Sequence, residues 1–454
     1  MKQIQQIDSR QFYRQVFLLV LPMAVQNLIN VGVTTADVVM LGKVGESVLS
    51  GASLAGQIQF ILTLIYFGLT SGASVLTAQY WGKGDIKSIE KILALSLKIS
   101  LACGVAFTLA ALCIPEQLMR IFTSEKDVIE NGAVYLRIVA FSYLPISYSM
   151  VYLNLIKSIE RVIISTVVYL SSLILNIILN AILIFGLLGF PELGIKGAAI
   201  ATLTARILEL IITVWYAHFK NKQVKLRMKY FWKIDKLLKK DFIMFAVPVL
   251  LNELFWGTGY SANAAVIGHL GSAAVAANSV AQVMRQLSMV ISLGLSGAAA
   301  IMVGKALGEK NEKKAELYGK KFLWLSLAAG ICGGLLILIS RGFLPDFMNL
   351  TQISREYLLF MLIVMAYYTV AQAINTTSVV GLFRGGGDTR FGLILDVSSM
   401  WGGSILFGAV AAFVLKWPVY VVFVILMSDE IIKLLPVYIR YRSKKWVRNI
   451  TREL

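Results

Sequence analysis

Residues 162–188 read VIISTVVYLSSLILNIILNAILIFGLL, a run of 27 residues without one charged side chain. An α-helix of about 20 apolar residues crosses the hydrocarbon core of a bilayer. The run lacks the alternating pattern of a membrane β-barrel strand, and a helix satisfies its own backbone hydrogen bonds. We therefore predict a transmembrane helix here, with Asn176 and Asn180 on one face at positions i and i+4.

Eleven further stretches have the same apolar character. With residues 162–188 included, the twelve predicted spans are 15–41, 48–80, 92–115, 133–156, 162–188, 195–219, 242–268, 273–304, 319–343, 356–383, 391–415 and 417–439. The chain is 57% hydrophobic and 15% charged, with a mean hydropathy of +0.74. Because soluble domains carry about 25% charged residues, this composition excludes a soluble enzyme, a disordered chain and a disulfide scaffold. It predicts an all-α integral membrane protein.

The net charge of +18 is distributed unevenly between the loops. If the N-terminus is cytoplasmic, 32 of the 43 Lys and Arg residues lie on the cytoplasmic side of the twelve spans and seven on the opposite side. The positive-inside rule then predicts a multi-pass protein of the inner (plasma) membrane with both termini in the cytoplasm. We expect the basic loops to meet anionic lipid headgroups rather than nucleic acid.

A basic segment, residues 220–241, divides the chain into two halves of six predicted spans each. At an offset of 226 the halves share Pro22 and Pro248, Gly42 and Gly268, Gly45 and Gly271, Ser53 and Ser279, and Ala55 and Ala281. Because each half crosses the membrane an even number of times, both halves enter it from the same side, and the two repeats are parallel. We predict an N-lobe at 1–219, a linker at 220–241 and a C-lobe at 242–454, with a substrate site between or within the lobes. A duplicated bundle without a transport role is the alternative.

Ionisable and amide side chains inside apolar spans are costly, so each marks a candidate functional site. Asp37 lies toward the outer end of the first span, and Pro22 in the same span can kink the helix and act as a gate. Asn176, Asn180 and Thr202 could add oxygen atoms to form a site for Na⁺ or a proton. The alternatives are structural hydrogen bonding between helices for Asn176 and Asn180, packing at a small-residue interface for Thr202, and a structural hydrogen bond near the outer membrane interface for Asp37.

The second half contains two further candidates, Glu253 and Asp396. Either carboxylate could couple ion binding or act as a counter-ion for a substrate. For both residues the alternative is structural: an ion pair with Arg285, or a carboxylate that reaches the membrane surface.

Other charged residues in the spans have spacings that suggest local pairs. Arg206 and Glu209 are three residues apart, and Asp429 and Glu430 lie close before Lys433. Side chains three or four apart on a helix are neighbours, so these groups are expected to pair with one another.

Catalytic and cofactor motifs are absent from the sequence. It contains no nucleotide-binding loop, no dinucleotide fingerprint and no HExxH motif, so we expect neither an enzyme nor a resident cofactor or metal beyond a coupling ion.

Four motifs together resemble the MATE (multidrug and toxic compound extrusion) transporters. They are Pro22…Asn27…Asp37…Met40…Gly42…Gly45…Ser53, Gln79-Tyr80-Trp81-Gly82 with Gly84-Asp85, Asn176…Asn180…Phe185-Gly186…Gly197-Ala198-Ala199…Ala201-Thr202, and Arg384-Gly385-Gly386-Gly387-Asp388-Thr389-Arg390. The resemblance covers nearly the whole chain. It is to the bacterial DinF and NorM types, although the span-ten acid of the NorM branch is absent from Ala371-Gln372-Ala373.

The resemblance implies the MATE fold of twelve helices, shared with the flippases of its superfamily. It also implies a secondary active antiporter that exports cationic or hydrophobic small molecules in exchange for Na⁺ or H⁺. We expect the protein to be a monomer. On matching positions, Asp37, Asn176, Asn180 and Thr202 would bind the coupling cation. A flippase for lipid-linked oligosaccharides and a non-transporting receptor or scaffold are the alternative functions.

Overall fold

The computed structural model describes residues 9–232, 235–347 and 350–452, which are helical with no β-strand among them. In the first half of the chain the helices are α1 (Ser9–Gly42), α2 (Glu46–Lys83), α3 (Ile86–Cys113), α4 (Pro115–Arg120), α5 (Lys126–Val139), α6 (Tyr143–Ser158), α7 (Ile163–Phe185), α8 (Ile195–Trp215) and α9 (Lys229–Trp232). In the second half they are α10 (Lys236–His269), α11 (Ser272–Gly308), α12 (Glu312–Ser340), α13 (Leu344–Phe347), α14 (Gln352–Thr376), α15 (Thr389–Asp396), α16 (Leu406–Ala409), α17 (Val419–Leu426) and α18 (Asp429–Arg442).

Short 3₁₀ and π segments extend or join several of these helices. The 3₁₀ segments are Ala140–Ser142 and Leu187–Gly189, and the π segments are Tyr216–Lys220, Thr377–Phe383, Val397–Ile405 and Val410–Val414. The fourth predicted span is therefore α5 and α6 joined through a 3₁₀ turn, and the eleventh combines α15 and α16 with two π segments.

Eleven helical stretches of the described residues are long and apolar enough to cross a membrane, and each overlaps one of the first eleven predicted spans. The twelfth predicted span, 417–439, is instead divided into α17 and α18 at Met427 and Ser428. A new helix begins at Asp429 after the break. The carboxylates of Asp429 and Glu430 lie in its first turn, where the helix dipole favours negative charge.

Helix α7 is apolar on its exposed face and carries its polar residues on its buried face. Its buried positions are Ser165, Val168, Ser172, Asn176, Asn180 and Ile184. Its exposed large side chains are Ile163, Val167, Leu170, Ile174 and Ile178. A soluble helix has the opposite arrangement, so the exposed face of α7 suits lipid and the buried face carries the amides.

The chain forms two compact units. Of the described residues, the N-unit comprises those of Val25–Ala73 and Asp85–Ile243, and the C-unit comprises those of 9–24, Ser74–Gly84 and 244–452. Both α1 and α2 contribute to the two units. The predicted lobe boundaries at 219 and 242 describe a sequence repeat and stay a prediction.

Each unit has its own packing. In the N-unit α7 packs against α8, and α8 packs against α5 and α6. In the C-unit α11 packs against α12 and α14. These contacts position the polar faces of α7 and α8 in the N-unit and of α14 and α18 in the C-unit.

The C-terminal segment 443–452 is fixed to the C-unit by the buried side chain of Gln79. The Nε2 of Gln79 donates to the carbonyls of Gly385 and Arg448 at 3.0 Å each, and its Oε1 accepts from the amide of Ile450 at 2.8 Å. The indole of Trp446 is buried and stacks on Tyr441. The segment is therefore an integrated part of this unit.

We expect Gly386→Ala to lower stability by about 1–3 kcal/mol, the usual cost of overpacking. A Cβ at Gly386 would collide with the backbone carbonyl of Trp446. Thermal unfolding of the purified protein in detergent measures the effect. A Cβ at Gly402 meets no atom within 4 Å, so Gly402→Ala is the matched control; equal midpoints for the two variants would refute the expectation.

Candidate functional site

Asp37 on α1 and the amide pair of α7 lie in contact. The Nδ2 of Asn180 donates to Oδ1 of Asp37 at 2.5 Å and to Oδ1 of Asn176 at 3.2 Å. Asn180 is fully buried and Asn176 is 3% exposed. The structure thus brings together three of the four residues predicted for the cation site.

Two of these side chains, Asp37 and Asn176, border a cavity of about 460 Å³ within the N-unit. Asp37, Asn176 and Thr202 line it, together with aromatic residues that include Phe60, Tyr135 and Tyr169. Pockets for drug-sized ligands have volumes of about 300–1,000 Å³ and mostly apolar walls with a few polar groups. Thr202 therefore joins the predicted set on the wall of a cavity large enough for an organic molecule.

One buried oxygen of this cluster is unused. Within the described part of the chain, Oδ1 of Asn180 has no hydrogen-bond partner. A buried acceptor without a donor costs about 1–3 kcal/mol. Carboxylate and amide oxygens are the ligands that hard cations prefer. The side-chain oxygens of Asp37, Asn176 and Asn180 are therefore suitable ligands for a small cation.

The predicted local pair of Arg206 and Glu209 is confirmed. Nη1 of Arg206 lies 2.7 Å from Oε1 of Glu209. Both residues line the same cavity as Asp37, a placement that the sequence spacing did not indicate.

In the C-unit the structure gives Glu253 a different partner from the one considered above. Oε1 of Glu253 lies 2.7 Å from Nη2 of Arg384, and both residues are buried. Arg285 instead donates to the side-chain oxygens of Gln282 and Gln372, at 2.7 and 2.8 Å. The suggested pairing of Glu253 with Arg285 is therefore wrong.

Asp396 belongs to a buried cluster around Lys433. Nζ of Lys433 lies 2.9 Å from Asp396, 3.2 Å from Asp429 and 3.1 Å from Glu430. Glu430 also accepts a hydrogen bond of 2.8 Å from Asn375. The predicted pairing of Asp429 and Glu430 with Lys433 is confirmed. Asp396 and Glu253 contact different cations.

A second, much smaller cavity lies in the C-unit. It measures about 40 Å³ and is lined by residues that include Arg285, Gln372, Asn263 and Asp429. A buried water needs about 10–15 Å³ on this scale, so the cavity has room for a few waters and not for a drug-sized molecule. The N-unit cavity is the better candidate for a substrate site.

Pro22 lies inside α1, which continues through it from Ser9 to Gly42. The division between the two compact units crosses this helix between Ala24 and Val25, two residues after the proline. Its role as a gating kink stays a prediction, as do the coupling roles assigned to Asp37, Asn176, Asn180 and Thr202.

Comparison with known proteins identifies the family. The model of the MatE family matches residues 22–182 and 248–410, once in each half of the chain. The chain belongs to the MATE family. The two matches also agree with the internal repeat and with the all-helical fold predicted from the sequence.

Curated relatives in this family carry the description "Probable multidrug resistance protein NorM". The MATE relative from Agrobacterium fabrum is 26% identical over 400 residues, which cover 86% of this chain and 84% of that protein. The relative from Bacillus anthracis is 24% identical over 410 residues, covering 89% of both chains.

Solved MATE structures have the same fold. An outward-facing multidrug resistance MATE family transporter of the MOP superfamily superposes with a TM-score of 0.85 at 20% identity, covering 95% of this chain and 96% of that one. A MOP superfamily transporter from Pyrococcus furiosus gives a TM-score of 0.85 at 20% identity, covering 95% of each chain. The protein is thus a multi-pass membrane protein with the MATE fold.

Proposed function

We propose that the protein is a secondary active antiporter that exports cationic, hydrophobic small molecules in exchange for Na⁺ or H⁺. The observation that carries the proposal is the position of Asp37, a carboxylate on the wall of a cavity of about 460 Å³ with aromatic residues around it. Ring faces and a carboxylate are the groups that bind hydrophobic cations. The multidrug description of the NorM relatives supports the same substrate class.

Exchange follows if substrate and coupling ion both need the carboxylate of Asp37. An organic cation in the cavity is stabilised by the negative charge, and a proton or Na⁺ at Asp37 removes that charge. The unused oxygen of buried Asn180 favours a site that accepts a small cation beside Asp37. Entry of the external ion would therefore weaken the binding of the substrate and release it outward.

Transport also requires two conformations, and the bound ion must shift the equilibrium between them. A ligand shifts such an equilibrium only through different affinities for the two states. We infer that α1 bends at Pro22, because the chain passes between the compact units two residues beyond it. Binding at Asp37, on the same helix, would change the preferred bend.

Membrane placement belongs to the same proposal. The distribution of Lys and Arg favours an inner-membrane protein with both termini in the cytoplasm, and lipids would contact the apolar outer faces of helices such as α7. We further propose that one chain is sufficient for transport, since the cavity lies within one compact unit.

The test is ethidium efflux from proteoliposomes under imposed gradients. A pH gradient and a Na⁺ gradient are applied separately, with ethidium fluorescence as the readout. We expect efflux that depends on at least one gradient and disappears when that gradient is collapsed with an ionophore. Failure of both gradients to drive efflux would contradict antiport, and movement of a labelled lipid-linked oligosaccharide instead would favour the flippase alternative.

A further inference from the structure

Lys98 is a charged residue on the exposed face of α3, one of the helices long and apolar enough to cross the membrane. Ala102, Val105 and Leu109 follow it at four, seven and eleven residues and are exposed as well. Residues at these spacings share one helix face, and the other three side chains are apolar. Lys98 therefore lies in line with a surface that suits acyl chains.

The position of Lys98 along α3 places its backbone inside the membrane. Lys98 is twelve residues beyond Ile86, where the helix begins, which is about 18 Å along the axis. The helix has 28 residues and is about 42 Å long, whereas the hydrocarbon core is about 30 Å thick. Even with the whole excess of about 12 Å on the side of Ile86, the backbone of Lys98 lies within the hydrocarbon. Its side chain must then extend to the membrane surface, as long basic side chains do.

The ammonium group of Lys98 reaches the short helix α9. Its Nζ donates to the carbonyl of Phe231 at 3.3 Å and lies 5.9 Å from the centre of the Trp232 ring. Trp232 is 83% exposed, and tryptophan is typical of the interface between hydrocarbon and headgroups. In the part of the chain that the structure describes, no carboxylate pairs with Lys98. Since an ammonium has three donor positions, Lys98 can bind a further oxygen atom.

The buried carboxylate of Glu90 fixes the segment that leads to α9. Its Oε1 accepts from the amide of Lys225 at 3.0 Å, and its Oε2 lies 2.7 Å from Nε of Arg227. Helix α9 then packs against α3. The fold itself therefore holds Trp232 beside Lys98.

The segment around α9 has an excess of positive charge. Residues 219–232 read FKNKQVKLRMKYFW, with five Lys and Arg residues and no acid. Glu90 neutralises Arg227, whereas Lys222, Lys225 and Lys229 are exposed. Basic residues next to a transmembrane helix attract anionic headgroups. The surroundings of Lys98 therefore favour a lipid with a net negative charge over a zwitterionic lipid.

We propose that Lys98 and Trp232 form a binding site for an anionic glycerophospholipid in the leaflet next to α9. The lipid phosphate accepts a hydrogen bond from Nζ of Lys98, the indole lies at the level of the headgroup, and an acyl chain lies along Val105 and Leu109. Lys98 does not line the N-unit cavity. The site is thus separate from the proposed substrate site and does not depend on the proposed transport.

The test is native mass spectrometry of the purified protein in detergent, titrated with dioleoylphosphatidylglycerol or with dioleoylphosphatidylcholine. The two lipids share the phosphate and the acyl chains, and only the first has a net negative charge. We expect the unmodified protein to bind phosphatidylglycerol more tightly. Lys98→Gln should lower the affinity for phosphatidylglycerol about tenfold, because a hydrogen bond between charged groups is lost. Lys98→Arg keeps the charge and should retain the affinity.

Lys320→Gln is the matched control. Lys320 is an exposed lysine on α12 in the C-unit, so the variant removes the same charge elsewhere and should leave the affinity unchanged. Trp232→Ala is a second test of the site. It truncates an exposed ring, keeps the charge of Lys98 and should also weaken the binding of phosphatidylglycerol.

Four results would overturn the inference. The first is equal affinity of the unmodified protein for the two lipids. The second is an affinity for phosphatidylglycerol that Lys98→Gln or Trp232→Ala leaves unchanged, or that Lys320→Gln lowers as much as Lys98→Gln does. The third is an equal loss of both lipids in Lys98→Gln, which would mean that the lysine only holds α9 in place. The fourth is displacement of the lipid by soluble glycerol phosphate, which would show that the site binds phosphate without the acyl chains.

Discussion

Asp37→Asn is expected to reduce gradient-driven efflux of ethidium to the level of vesicles without the protein. The asparagine can still accept the hydrogen bond that Asn180 donates at 2.5 Å to Oδ1 of Asp37, so the contact between α1 and α7 is preserved. What disappears is the negative charge for which the substrate and the coupling ion compete. The measurement is ethidium export into the lumen of everted membrane vesicles, whose inverted membrane turns efflux into uptake, normalised to the amount of transporter by immunoblot.

The control for this variant is Asp127→Asn. Asp127 is an exposed carboxylate in the first turn of α5 and does not line the cavity, so its removal should leave efflux unchanged. Full efflux by Asp37→Asn at normal expression would show that coupling does not depend on this carboxylate. Loss of efflux in both variants would indicate a general sensitivity to lost acidic charge.

Lys433→Met is expected to cause the largest loss of stability. Lys433 is 2% exposed, and its ammonium lies within 3.2 Å of three carboxylates. Removing one partner of a buried ion pair costs about 3–5 kcal/mol, because the remaining charge is left uncompensated. Thermal unfolding in detergent, followed by size-exclusion chromatography of heated samples, would show a strongly lowered midpoint.

Two comparisons show whether the loss comes from the charge cluster. Lys239→Met changes an exposed lysine on α10 and should leave the midpoint where it is. Adding Asp396→Asn to Lys433→Met removes one of the three uncompensated carboxylates and should recover part of the loss. An unchanged midpoint for Lys433→Met alone would mean that the cluster does not stabilise the C-unit.

Much of the fold could be predicted because membrane insertion depends on local composition. Each apolar run of about 20 residues must form a helix wherever it lies in the bilayer, and eleven helical stretches occupy the predicted positions. The exception is instructive. The hydropathy of 417–439 does not show that Met427 and Ser428 end one helix and that the charged residues after them begin another.

Ion pairs between residues of one helix could also be predicted, because their spacing along the sequence is a local property. The spacing of Arg206 and Glu209, and of Glu430 and Lys433, places each pair on one helix face, and both contacts are present. Contacts between distant segments were not predictable in this way. Nothing in the spacing of the chain shows that Glu253 meets Arg384 or that Asp396 joins Lys433.

The sequence by itself determined the membrane class, the helical architecture, the repeat and the identity of the polar residues inside the spans. These features depend on the residues within one stretch, where the cost of polar groups in lipid leaves few solutions. Only the tertiary structure decided which of those polar residues share a site. Asp37 meets Asn180 across 143 residues of chain, and the pair on α8 faces the same cavity, because the packing of helices, and not their composition, determines which buried faces meet.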